Sequence, residues 1–186
     1  MPKQADPKLE SRILDAAQRL WTRGGEKALT MRAVARAAHT TTPTVYQRFR
    51  NRQDILRALV QRIQGEYVQL ILSCRSMEEI CRKYVERGLD RPYDYQLFYA
   101  PWAGREVITR NPGPGLQMAR RAIADEFGGA PEDHTRTAVV LWSLLHGVVS
   151  LLNSRTLQGP LAEELKAGWP EAVQIWLGST ARRGAR

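Results

Sequence analysis

Between residues 135 and 154 the chain sets Val139, Val140, Leu141, Trp142, Leu144, Leu145, Val148, Val149, Leu151 and Leu152 nearly all round one helix. A helix without a polar face must be covered on both sides. In a chain of 186 residues one cover is its own domain, and the expected second cover is another copy of the same chain. This segment therefore asks for a helical bundle with an interface, and the rest of the sequence is consistent with one.

Apolar residues recur with a helical period along the whole chain. Leu9, Ile13, Ala16, Ala17, Leu20 and Trp21 mark a first helix, with Gly24-Gly25 as its stop. Thr30 reads as the cap of a second helix with Met31, Val34, Ala35 and Ala38 inward. The polar run His39-Thr40-Thr41 breaks it, and a short third helix from about Thr42 buries Val45 and Phe49. Asn51 caps a long fourth helix carrying Ile55, Leu56, Leu59, Val60, Ile63, Tyr67 and Leu70. Helical sequence resumes over 77–89 and again at Pro92, followed by an aromatic stretch from Tyr93 to Trp102. A loop at 111–115 precedes a helix that ends at Gly128-Gly129. After the apolar helix, Gly159-Pro160 opens a short helix and Trp169-Pro170 opens the last. No strand signal survives, so the expected class is all-α: a head over 8–68 and a bundle over 69–180, divided within the fourth helix near residues 60–70.

Hydrophobic content of 43% and charged content of 25% are those of a soluble globular protein. The net charge of +9 is uneven. Residues 1–60 hold 12 Lys/Arg against 5 Asp/Glu, whereas residues 61–186 hold 16 against 14. The basic end suits a polyanion, nucleic acid or membrane headgroups, and charge alone does not choose between them. The polar N-terminus lacks the apolar core of a signal peptide, and no apolar run approaches the ~20 residues that cross a bilayer. A cytoplasmic protein without a membrane partner is expected. Cys74 and Cys81 read as small buried side chains, since no CxxC spacing or basic cluster marks a reactive thiol. His39, His134 and His146 are too scattered for a metal site, and no cofactor is expected. GxSxG, HExxH and glycine-rich phosphate loops are lacking, which argues against an enzyme. A helical-bundle enzyme, or another small-molecule-binding protein with an incidental basic head, is the alternative.

The bend at residues 38–44 carries the functional signal. Two short helices meet there, and the second begins with small hydroxyl side chains, a geometry suited to entering the major groove of DNA. Thr41, Thr42 and Thr44 allow close approach, and their hydroxyls and methyls can meet phosphates, base edges or a thymine methyl. Gln47 can pair bidentately with adenine. Arg32 can reach a phosphate or a guanine, and Arg48 can add a phosphate contact.

Residues 11–60 resemble the DNA-binding head of the TetR (tetracycline repressor) family. The resemblance runs from Ile13-Leu14-Asp15-Ala16-Ala17 through Gly24-Gly25, Thr30-Met31-Arg32, Ala35, Ala38, Thr44-Val45-Tyr46 and Phe49 to Asn51-Arg52-Gln53-Asp54-Ile55-Leu56. It implies a helix-turn-helix that contacts DNA through Thr30, Arg32, Thr41, Thr42, Thr44, Tyr46, Gln47, Arg48 and Arg52. In that pattern Tyr46 faces the backbone or groove, and Arg52 takes the basic phosphate-binding position. His39 stands where the family usually has Gly, so it must tolerate positive φ. Trp142-Ser143-Leu144-Leu145-His146-Gly147 and Tyr95-Gln96-Leu97-Phe98 resemble one Trp…His-Gly class of the family's C-terminal domain.

The resemblance implies an effector-binding, dimerising body. Tyr67, Tyr84, Tyr95, Phe98, Tyr99, Trp102, Met118, Trp142 and His146 are together the candidates to line a cavity for a small apolar or aromatic effector, although any one of them taken singly reads as core. Trp142, Val149, Leu152, Val173, Trp176 and Leu177 are candidates for a two-fold four-helix interface. A homodimeric repressor on a palindromic operator in double-stranded DNA is the expected function, with an effector acting on head separation through the fourth helix.

Overall fold

The computed structural model describes residues 8–100 and 113–184, and every regular element among them is helical. In chain order these are α1 (Leu9–Ala28), α2 (Met31–Ala37), α3 (Thr42–Tyr46), α4 (Arg52–Leu72), α5 (Met77–Asp90) and α6 (Pro92–Phe98). Then come α7 (Pro114–Phe127), a 3₁₀ turn (Pro131–His134), α8 (Thr135–Asn153) and α9 (Pro160–Gly184). They form two compact units. The described part of the first is 8–65 with 91–100, and that of the second is 66–90 with 113–184. The division falls inside α4.

In the first unit, Ile13, Ala16, Ala17 and Trp21 of α1 pack with Val34 and Ala35 of α2, Val45 of α3, and Ile55, Leu56 and Leu59 of α4, all buried. The α1 helix does not stop cleanly at its glycines. It continues to Ala28 across a kink at Gly25, whose φ of 58° and ψ of −143° lie where only glycine is at ease. The small α6 belongs to this unit too and packs along α1. Two polar contacts fix it: Trp21 Nε1 donates to the Tyr93 carbonyl at 2.8 Å, and Thr22 Oγ1 donates to Asp94 Oδ1 at 3.0 Å. Asp94 is almost fully buried, with Arg91 3.6 Å away as its counter-charge. Nothing local in 92–98 reveals that its partner is α1.

In the second unit α8 is central, packed against α5, α7 and α9. Its buried residues are Ala138, Leu141, Leu145, Val148 and Val149. They meet Ile80, Cys81 and Val85 of α5, Ile123 of α7, and Val173 and Leu177 of α9, which are also buried. Asn153 Nδ2 donates to the Gly88 carbonyl at 2.9 Å and pins the end of α8 to α5.

Three expectations are corrected. Residues 160–184 make one helix rather than two, running through Pro170, which gives up only a single donor. Pro131–Asn153 spans 23 residues, and its most apolar stretch of 18 has a mean hydropathy of 1.4, which by length and composition alone is enough to cross a bilayer. Ser, Thr, His and Gly interrupt that stretch, so no unbroken apolar run marks it in the sequence. Finally, Val149, Val173 and Leu177 are at most 7% exposed within the single chain, so they are core residues and have no surface to offer a second copy.

Candidate nucleic-acid interface

The helix-turn-helix is built by two threonine caps. Thr30 Oγ1 accepts from the Ala33 amide at 3.1 Å and starts α2. Thr41 Oγ1 accepts from the Thr44 amide at 3.3 Å, shares a 2.8 Å hydrogen bond with the Thr44 hydroxyl, and so starts α3. Each satisfies a donor that the first turn would leave open. Between them the chain reverses at His39, which takes φ 52° as its position requires. That conformation is uncommon for a non-glycine residue, although histidine tolerates it better than most.

Burial then sorts the residues of the turn. Val45 and Phe49 are buried and hold α3 to the unit, while Ala38 is buried behind the bend. Thr41, Tyr46, Gln47 and Arg48 are exposed, with Tyr46 at 52%, and Thr42 and Thr44 are half-buried. An exposed tyrosine of this size on a five-residue helix is an apolar surface held in water by the fold around it. Thr30 and Arg32 are exposed at the start of α2. Arg32, Arg36 and Arg48 have no ion-pair partner among the described residues, so their charge is available to a polyanion.

Arg52 is different. Its Nη2 lies 2.6 Å from Glu26 Oε1, in an exposed pair that joins the start of α4 to the end of α1. The start of α4 is itself well capped. Asn51 Oδ1 accepts from the Asp54 amide and Asp54 Oδ2 from the Arg50 amide, each at 3.0 Å. The Asp54 carboxylate also pairs with Arg57. Glu26 was not visible as a site residue in the sequence, because the pairing spans 26 positions and follows no local pattern.

The body candidates fall in both units. Tyr95, Phe98 and Tyr99 belong to the first, where the Tyr99 ring lies 4.7 Å from Tyr95 and 4.8 Å from Phe98. Tyr67, Tyr84, Met118, Trp142 and His146 belong to the second. There Tyr67 and Tyr84 pair at 5.8 Å, and the Arg87 guanidinium sits 5.4 Å from the Tyr67 ring centre while pairing with Glu66. Trp142 and His146 are 6.2 Å apart, one turn from each other on α8. Trp102 lies outside the described residues. Of the interface candidates, Trp142, Leu152 and Trp176 are half-buried, unlike the three core residues named above. No cluster of metal-ligating side chains occurs among the described residues.

Comparison with known proteins places both units. Residues 13–59 match the family described as bacterial regulatory proteins, tetR family, and residues 77–174 match the tetracyclin repressor-like C-terminal domain. No curated protein matches the chain as a whole by sequence. Among solved structures, a TetR variant from Acinetobacter baumannii AYE in complex with minocycline is 17% identical with a TM-score of 0.65, covering 96% of this chain and 98% of its own. A TetR-family transcriptional regulator from Streptomyces coelicolor is 21% identical with a TM-score of 0.64, covering 92% and 99%. A protein with unknown function from Rhodococcus sp. RHA1 is 20% identical with a TM-score of 0.66, covering 97% and 100%. At such identities the likeness speaks for the fold, whereas the two family matches together cover most of the sequence. A capped helix-turn-helix with free arginines, followed by a helical body of matching type, belongs to the TetR family of DNA-binding transcriptional regulators.

Proposed function

We propose that the protein is a homodimeric, cytoplasmic repressor that binds a palindromic operator and is released by a small apolar or aromatic effector. The observation that carries the DNA contact is the sorting of the turn: Val45 and Phe49 are buried as anchors, while Tyr46, Gln47 and Arg48 stand exposed beside unpaired arginines. In this reading Gln47 reads a base edge, while Thr42, Tyr46 and Arg48 meet phosphate or groove wall. Thr30 and Thr41 act chiefly by holding the helices in place. Arg52 exchanges Glu26 for a phosphate on binding.

The dimer rests on the apolar side chains that the single chain leaves outside. Val139, Val140 and Leu151 of α8 are more than a third exposed, and Leu161 and Ile175 of α9 are each 65% exposed. On α9, Leu161, Leu165, Gly168, Ala172 and Ile175 follow a helical stripe. A two-fold pairing of α8 and α9 with their copies would cover both, with Trp142, Leu152 and Trp176 at its edge.

The effector reading draws on the minocycline complex of the Acinetobacter relative and on the aromatic residues of the second unit. Tyr67, Tyr84, Met118, Trp142 and His146 are its candidate contacts. Two covalent routes lead from that unit to the DNA-binding unit, along α4 and across the Asp90–Arg91 link into α6. An effector acts through them only by binding the two states of the protein differently.

Selection of bound sequences from random double-stranded DNA tests the proposal. An inverted repeat with half-sites about one helical turn apart is expected. No preference for any symmetric site over scrambled sequence would overturn it.

A further inference from the structure

We infer that Lys27 and Arg50, on either side of the Arg52–Glu26 pair, form a clamp that holds the phosphate backbone of duplex DNA without reading its sequence. Neither residue lies on α2 or α3, so the clamp adds a contact to the helix-turn-helix. It rests on the DNA-binding reading of the first unit, but on no particular operator.

One tertiary contact gathers the patch. Glu26 Oε1 and Arg52 Nη2, 2.6 Å apart, join the end of α1 to the start of α4. Lys27 follows Glu26 directly, and Arg50 stands two positions before Arg52. Lys27 also lies three positions before the Thr30 cap, and Arg50 two beyond the exposed Arg48. The patch therefore sits where the chain enters and leaves the helix-turn-helix. Both side chains are exposed, and neither has an ion-pair partner among the described residues.

The charge of the patch is positive. Residues 23–30 and 48–57 together hold six Lys/Arg against two Asp/Glu. Both acids are already engaged, Glu26 by Arg52 and Asp54 by Arg57. Those pairs leave Arg23, Lys27, Arg48 and Arg50 with no carboxylate against them. Asp15, the next acid back along α1, lies three turns away and pairs with Arg62.

Side chains, not backbone amides, must meet the phosphate here. The start of a helix ordinarily attracts an anion. At α4 the Asp54 carboxylate already occupies that end, accepting from the Arg50 amide at 3.0 Å, while Asn51 Oδ1 accepts from the Asp54 amide at 3.0 Å. A phosphate is thus left to the ammonium and guanidinium groups, which bind it through charge-assisted hydrogen bonds. Contacts of this kind fix position on the duplex and carry no sequence information.

Fluorescence anisotropy on the full chain, with a labelled duplex of random sequence over a salt series, tests the clamp. For the native protein log K is expected to fall linearly with log salt. In the double variant Lys27→Gln with Arg50→Gln, that slope should be shallower by about 2 for each chain on the duplex. The advantage of the native protein should then shrink about tenfold per bound chain between about 50 and 200 mM salt. Lys27→Arg with Arg50→Lys should keep the native slope. Arg75→Gln with Arg121→Gln removes the same charge from exposed positions of the second unit and should leave the slope unchanged. Circular dichroism melts of all four proteins should coincide. An unchanged slope in the Lys27/Arg50 glutamine pair, an equal change in the Arg75/Arg121 pair, or loss of slope in the charge-conserving pair would overturn the inference. A native protein that binds every duplex alike, yet loses slope in the glutamine pair, supports the clamp and overturns the operator reading. A native protein that binds no duplex at all overturns both.

Discussion

The Tyr93 ring lies so close over Gly25 that a Cβ built on the glycine would stand 2.7 Å from Tyr93 Cδ1. The same glycine holds φ 58° at the kink of α1, so one position meets two demands that only glycine satisfies. The contact seats α6 on α1 beside the Trp21 and Thr22 hydrogen bonds.

Gly25→Ala is expected to destabilise the protein by about 1–3 kcal/mol from backbone strain alone. The ring clash adds to that. A fall in melting temperature of roughly 5–10 °C follows for a chain of this size, read by circular dichroism. Tyr93→Ala in the same background should recover the clash but not the strain, so the two changes will be less than additive. Full additivity would show that the close approach has no energetic weight.

The Arg52–Glu26 pair makes a prediction about DNA. An exposed pair contributes about 0–1 kcal/mol to folding, so Glu26→Gln should leave stability nearly unchanged. It frees Arg52 and removes a negative charge near the duplex, and DNA affinity should rise severalfold. Arg52→Ala should weaken specific and random DNA alike and reduce the salt slope of log K by about 1. Gln47→Ala should instead relax preference at one base pair. Anisotropy titrations over a salt series distinguish these outcomes, and a Glu26→Gln protein that binds DNA less well would contradict the exchange.

Thr41 is expected to matter as a cap. Thr41→Val keeps the shape and loses the acceptor of the Thr44 amide, costing about 1 kcal/mol and lowering operator affinity. Thr41→Ser should behave as the native protein. If Val and Ser variants bind the operator equally, the hydroxyl is not what positions α3.

For the dimer, Ile175→Glu or Val140→Glu should yield a folded monomer in sedimentation velocity, because both side chains are exposed in the single chain. Val149→Glu should instead unfold the second unit, since Val149 is wholly buried there. A dimer that survives Ile175→Glu and Val140→Glu together would place the interface elsewhere.

The two thiols should differ in reactivity. Burial pushes Cys81 up to about 12, while Cys74, only partly buried, is raised less and for the same first cause. At pH 8 a maleimide or disulfide reagent should label Cys74 slowly and Cys81 only after denaturation. A thiol with its folded pKa above its unfolded value keeps its proton in the fold while the unfolded chain loses it. Stability from Cys81 is therefore complete below about pH 9 and falls as pH rises toward 12. Cys81→Ser should flatten that alkaline slope in denaturant titrations.

Short-range features were readable from the chain itself. Thr30 and Asn51 cap the helices they were expected to cap, His39 takes the positive φ its place demands, and the buried stripe of α4 follows its period, because caps, turns and amphipathic faces are set by neighbours a few residues away. What escaped were contacts between distant positions. Glu26 meets Arg52, Tyr93 and Asp94 join Trp21 and Thr22, and Val149, Val173 and Leu177 close on their own unit. None of these has a local signature, because each depends on which surfaces meet after folding. Most helix starts and the helix-turn-helix bend were settled by residue order, whereas the joining of 160–184 into one helix, the seat of α6, the engagement of Arg52 and the division of α8 and α9 between core and surface came only from packing in three dimensions.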